Sequence, residues 1–148
     1  MTDKSSPSAF FSEEHRACDA LWAEIEGAVQ AGDGAKALAL WARFDASMSR
    51  HFAMEEEILF PAVEQATGMQ GAGPTAVMRG EHVQMRGVLR QMAAEADANN
   101  LEGLVDQGDT LLMLIQQHNV KEEGVLYPLC DRVLAGQWPT LVEDLVKW

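Results

Sequence analysis

The 148-residue sequence predicts an all-α fold, a four-helix bundle of two helical hairpins with a short extra helix at the C-terminal end. Three observations carry this. Ala, Leu, Met and Glu are plentiful and no run of alternating β-branched residues occurs, which favours helix over strand. Apolar residues recur at alternating spacings of three and four along four successive stretches. The chain also repeats itself: HFAMEEEILFP at 51–61 aligns without a gap on HNVKEEGVLYP at 118–128, an offset of 67 positions.

Each element has its own signals. Residues 1–9 read as a flexible polar tail, and one domain is expected over 10–148, with internal repeats at about 11–67 and 75–132. Ser12, Glu13 and Glu14 offer helix-start chemistry near 10–12, after which Phe11, His15, Cys18, Trp22, Ile25 and Val29 form a seam. Gly32 to Gly34 ends that helix. The second starts near 33–35, and its seam reads Trp41, Phe44, Met48, His51, Glu55 and Ile58, with Pro61 expected to kink or finish it. GMQGAGP at 68–74 separates the repeats. Met78, His82, Met85, Leu89, Met92 and Ala96 form the third seam, and Asn99 and Asn100 turn the chain. Leu104, Gly108, Leu111, Ile115, His118, Glu122 and Val125 form the fourth, punctuated by Pro128 as the second is by Pro61. From Trp138, helical spacing of Leu141, Val142, Leu145 and Trp148 predicts a small helix that lids one end or forms a dimer contact.

The net charge of -12 argues against nucleic acid and anionic membranes as partners and favours cations. No apolar segment of signal-peptide or membrane-spanning length is apparent, so a cytoplasmic protein, monomer or homodimer, is expected. Two cysteines are too few for a disulfide framework and read as small buried hydrophobes.

All four histidines fall on the repeat: His15, His51 and Glu55 recur as His82, His118 and Glu122. A histidine and a glutamate four apart share a helix face, and here that face continues the apolar seam. An unpaired carboxylate carried into such an interior costs several kcal/mol, of order, so two of them require cations. Simple hydrogen-bonded His–Glu pairs would explain one such motif. Four histidines, one on each expected helix, are what a metal site needs, and two equivalent sets with two carboxylates able to bridge favour a dinuclear one. Imidazole and carboxylate without thiolate suit iron, manganese or zinc, with a di-iron centre as first choice.

These residues, His15, HFAMEEEILFP, His82 and HNVKEEGVLYP in that order, resemble the hemerythrin-like (HHE cation-binding) family over about residues 11–132. The resemblance implies an up-and-down four-helix bundle holding two non-haem irons with an oxo or hydroxo bridge. His15 and His51 would hold one iron, His82 and His118 the other, and Glu55 and Glu122 would bridge. Oxygen-carrying members have a fifth histidine on the third helix, where this chain offers Met78 or Arg86. That departure weakens the case for a reversible oxygen carrier. Glu14, Glu56, Glu81 and Glu123 are expected to be mostly solvated; one acidic residue near the site adding a ligand is the alternative, and otherwise Asp19, one turn after His15, is the expected outer partner if it touches the site. Arg86 is expected to neutralise a bridging carboxylate or cover an open position. Tyr127 and Phe60 are read as packing residues, Tyr127 also as a donor toward bound ligand.

The function implied is binding of a small diatomic ligand, dioxygen or nitric oxide, or sensing or buffering of iron, rather than dedicated catalysis. A di-iron redox enzyme acting on oxygen, peroxide or nitric oxide is one alternative. A metal-free helical interaction module is the other.

Overall fold

The 67-residue offset also governs where helices start and stop. In the computed structural model, which describes residues 2–148, α1 (Pro7–Gln30) and α4 (Gly73–Asp97) each carry a proline in the first turn, where a missing N–H is tolerated. Gly32 and Asn99 both adopt left-handed φ values, 73° and 53°. The residues after them, Asp33 and Asn100, cap α2 (Gly34–Met54) and α5 (Leu101–Lys121) by accepting from Lys36 N and Gly103 N. Helices α1 and α2 pair as one hairpin and α4 and α5 as the other, with α2 beside α4 and α1 beside α5. All the regular structure among the described residues is helical, and none of these helices is long and apolar enough to cross a membrane.

The first helix begins earlier than the Ser12 signal suggests. Ser6 is the cap, its Oγ accepting from Ala9 N, and Ser8 is tied to Asp131 through both its backbone N–H and its hydroxyl. Burial of Pro7 and Phe10 makes the earlier start worthwhile, because both side chains leave water.

The prolines do not end their helices. Beyond Met54 a π-helical segment, Glu55–Leu59, leads directly into α3 (Phe60–Thr67); beyond Lys121, Glu122–Leu126 leads into α6 (Tyr127–Val133). Phe60 N–H donates to Glu55 O and Tyr127 N–H to Glu122 O, each five residues back. The widened turn thus absorbs the donor that the following proline lacks. One extra residue rotates the helix face by about 100°. The expected inward position of Val125 is corrected accordingly: it is 60% exposed, and Ile58 is only half-buried against the core, while Leu59 and Leu126 are at most 1% exposed. In α1, Ala28 rather than Val29 takes the last buried place.

Two apolar clusters form the interior, with the histidine level between them. Met48, Cys18, Met85 and Ile115 belong to the cluster toward the hairpin turns, and Phe11, Met54, Met78 and Leu126 to the other. Each histidine lies in sequence between a member of one cluster and a member of the other. Helix α7 (Trp138–Leu145) closes the second cluster with Trp138 and Leu145, and Trp138 Nε1 donates to Lys4 O. Both cysteines are free and buried.

Candidate metal centre

The seams bring six polar side chains to one level of the interior. His15 arrives on α1, His51 on α2, His82 on α4 and His118 on α5, while Glu55 and Glu122 open the two π-helical segments. None of the six is more than 5% exposed. Their grouping follows the repeats: the rings of His15 and His51 lie 4.9 Å apart, as do those of His82 and His118.

Each carboxylate spans both pairs. Glu55 Oε1 is 3.1 Å from His51 Nε2 and 3.3 Å from His82 Nε2; Glu122 Oε1 is 3.0 Å from His15 Nε2 and 3.2 Å from His118 Nε2. Yet Nε2 of His51, His82 and His118, Glu55 Oε1 and Glu122 Oε2 are buried without any partner in hydrogen-bonding geometry. The simple pairing of His51 with Glu55 and His118 with Glu122 therefore fails on direction, although the distances are short. Ligand atoms about 2.1 Å from one ion and at right angles lie about 3 Å apart, so the donor set fits cations better than it fits hydrogen bonds. Glu55, His82, His118 and Glu122 each offer an atom within 4.8 Å of the others, and so do His15, His51 and Glu122.

Three of the four other ring nitrogens are held from outside. His15 Nδ1 donates to Glu123 at 2.7 Å, His82 Nδ1 to Glu56 at 2.7 Å and His118 Nδ1 to Glu81 at 2.9 Å. His51 Nδ1 is the exception: it lies 3.9 Å from Glu14, beyond hydrogen-bond reach, and Glu14 is engaged by Arg50. A carboxylate on Nδ1 fixes the tautomer, leaves the Nε2 lone pair aimed inward and raises its basicity. This corrects two expectations. The outer partners are glutamates supplied by other helices rather than Asp19, which makes no ion pair or hydrogen bond to the site, and three of them are largely withdrawn from water: Glu14, Glu56 and Glu81 are at most 26% exposed, while Glu123 is 44% exposed, as expected. Arg86 binds neither a bridging carboxylate nor an open position; it donates to Glu56 at 2.8 Å and lies over the Phe52 ring, while Met78 is buried in the cluster closed by α7.

Electrostatics at the centre are strongly coupled. Burial pulls His51 down, but the Glu55 charge, with Glu14 and Glu122 near it, outweighs burial and holds it well above the usual range. For His82, burial is likewise outweighed by Glu55 and Glu56. Burial pushes Glu55 up, but the His51 charge and hydrogen bonds from its neighbours hold it well below the usual carboxylate range. The centre thus favours positive charge around its carboxylates whether protons or metal ions supply it.

Sequence reasoning placed Tyr127 in the packing first, and second as a donor toward bound ligand. The structure puts its hydroxyl at the centre itself, 2.8 Å from Glu55 Oε2, 2.9 Å from Glu122 Oε1 and 3.1 Å from His15 Nε2. On the other side, His15, His51 and His118 share a small enclosed space with Cys18, Met48, Phe52, Met85 and Ile115. Its walls are mostly apolar.

Fold and centre together define a helical protein with a buried, carboxylate-rich histidine site suited to cations. The sequence pattern of the hemerythrin HHE cation binding domain matches residues 6–130, and the chain belongs to that family. Among curated proteins it is similar to the iron-sulfur cluster repair protein YtfE of Salmonella typhimurium (strain LT2), 29% identical over 105 residues. The YtfE of Escherichia coli O1:K1 / APEC is 30% identical over 100 residues. Each match covers 61% of this chain and 43% of the relative, so the chain spans less than half the length of these proteins. No solved structure matches it.

Proposed function

We propose that the chain is an up-and-down four-helix bundle that holds two non-haem irons and binds a small diatomic ligand, dioxygen or nitric oxide. His15 and His51 would hold one iron and His82 and His118 the other, with Glu55 and Glu122 bridging. The observation that carries this is that each buried carboxylate reaches one histidine of each pair, while Nε2 of His51, His82 and His118 is left without a hydrogen-bond partner. Bound iron supplies redox-active positions able to take a diatomic ligand. The protein's part is to aim the lone pairs of His15, His82 and His118 through the outer glutamates, and to keep water scarce above them. The enclosed space beside His15, His51 and His118 suits something no larger than a small molecule.

Function in a reducing cytosol fits the two free, buried cysteines. Titrating the anaerobic iron-loaded protein with nitric oxide and following its optical spectrum tests the reading. A saturable, reversible spectral change supports it, whereas no change despite bound iron refutes ligand binding.

A second reading, iron handling in the service of cluster repair, is favoured by the similarity to the proteins named for that activity. It predicts transfer of iron from the loaded chain to an acceptor apo-protein. Retention of all the iron would refute it.

A further inference from the structure

The hydroxyl of Tyr127 stands within the donor set. Three acceptors face its single proton: Glu55 Oε2, Glu122 Oε1 and, since His15 gives its Nδ1 proton to Glu123, the lone pair of His15 Nε2. One proton satisfies one of them. The remaining contacts set electron-rich atoms against one another within 3.1 Å in a site with no water contact at the carboxylates. A cation among these atoms removes the conflict, and all three separations match the spacing of about 3 Å between neighbouring ligands of one ion.

We propose that Tyr127 is itself a metal ligand, binding through its phenolate oxygen to the ion held by His15 and His51. The inference rests on the reading that the centre holds metal. On binding, the O–H bond breaks, the proton leaves to solvent, and the oxygen lone pair is shared with the cation, whose charge takes the proton's place against the two carboxylates.

The repeat supplies an internal comparison. Phe60 is the equivalent of Tyr127, and its ring lies 5.6 Å from that of His82 at 29°, as the Tyr127 ring lies 5.6 Å from that of His15 at 33°. Phe60 has no oxygen to offer. The two metal positions are therefore inequivalent: the His15/His51 ion carries a phenolate, and the His82/His118 ion meets only the buried Phe60 ring on the corresponding side.

Tyr127 is the one tyrosine in the chain, so any tyrosinate signal from the iron-loaded protein belongs to it. The test combines metal analysis with visible absorption and resonance Raman spectra of the ferric protein. The expected result is bound iron with a phenolate-to-iron charge-transfer band and enhanced tyrosine ring modes. Tyr127→Phe should retain iron and lose the band, and Phe60→Tyr should strengthen it. Bound iron without these features in the unmodified protein overturns the phenolate assignment while leaving the metal reading intact, and this holds even if a variant fails to fold. Failure to bind iron at all overturns both.

Discussion

Replacing Glu56 by Gln tests whether the outer carboxylates act each through one histidine. Glu56 Oε2 accepts from His82 Nδ1 at 2.7 Å and its Oε1 accepts from Arg86 at 2.8 Å, and it contacts none of the other histidines. The amide keeps the shape and removes the charge that makes Nε2 of His82 a strong donor. Losing such a partner typically costs 10- to 100-fold in metal affinity, about 1.4–2.7 kcal/mol. The loss should fall mainly on the position held by His82 and His118. Competition with a chelator, followed as successive metal-release steps, measures it: the Glu56→Gln protein should release one metal early and the other near its original midpoint. Glu123→Gln, acting through His15 at 2.7 Å, should do the same at the other position. If both variants weaken the two positions equally, or neither moves a release step, the pairing of outer glutamates with individual histidines is wrong.

Other outcomes follow from the same geometry. Glu55→Ala or Glu122→Ala should empty both metal positions together, whereas His15→Ala should weaken mainly one; loss of a single metal in a Glu variant, read by elemental analysis, would indicate independent sites. Gly108→Ala would drive a methyl group into the ring of the buried Trp22, so a net loss of about 1–3 kcal/mol is expected in urea denaturation despite the better helix propensity. In the metal-free protein, His51 and His82 are raised above their usual 6.5, so their stabilisation is full below that pH and is lost as pH rises through the raised values. Glu55 is held well below its usual 4.5, so its stabilisation is present above that pH and lost as pH falls through the lowered value. Denaturation midpoints of the metal-free protein should therefore be highest between these limits and fall on the alkaline side, a fall that metal loading abolishes.

Much of this was legible because polar residues broke an apolar seam twice at one offset. That pattern located the six inward side chains on four helices without any knowledge of packing. The same offset held further information: Pro7 corresponds to Pro74, which points to a helix start at 7 rather than at Ser12. The π-helical segments were not visible to a seam drawn with a fixed period, which pointed Ile58 and Val125 inward. A proline six residues after each bridging-position glutamate, Pro61 after Glu55 and Pro128 after Glu122, was the available signal, since the missing donor must be absorbed by the turn before it. Spacing along one helix also misdirected the outer-partner assignment to Asp19. The partners of His15, His82 and His118 come from neighbouring helices, and only the assembled structure brings Glu123, Glu56 and Glu81 to them. Tyr127 was read as packing because its ring does pack, against Phe11 and His15; its oxygen became meaningful only once Glu55 and Glu122 were found on either side of it.

The central claim is that two equivalent histidine pairs joined by two carboxylates hold two ions. Anaerobic reconstitution with ferrous iron, removal of loosely bound metal and elemental analysis against protein concentration test it most directly. The account predicts close to two irons per chain, lost together when Glu55 is replaced by Ala; a reproducible single iron, or zinc displacing iron when both are supplied, would contradict it.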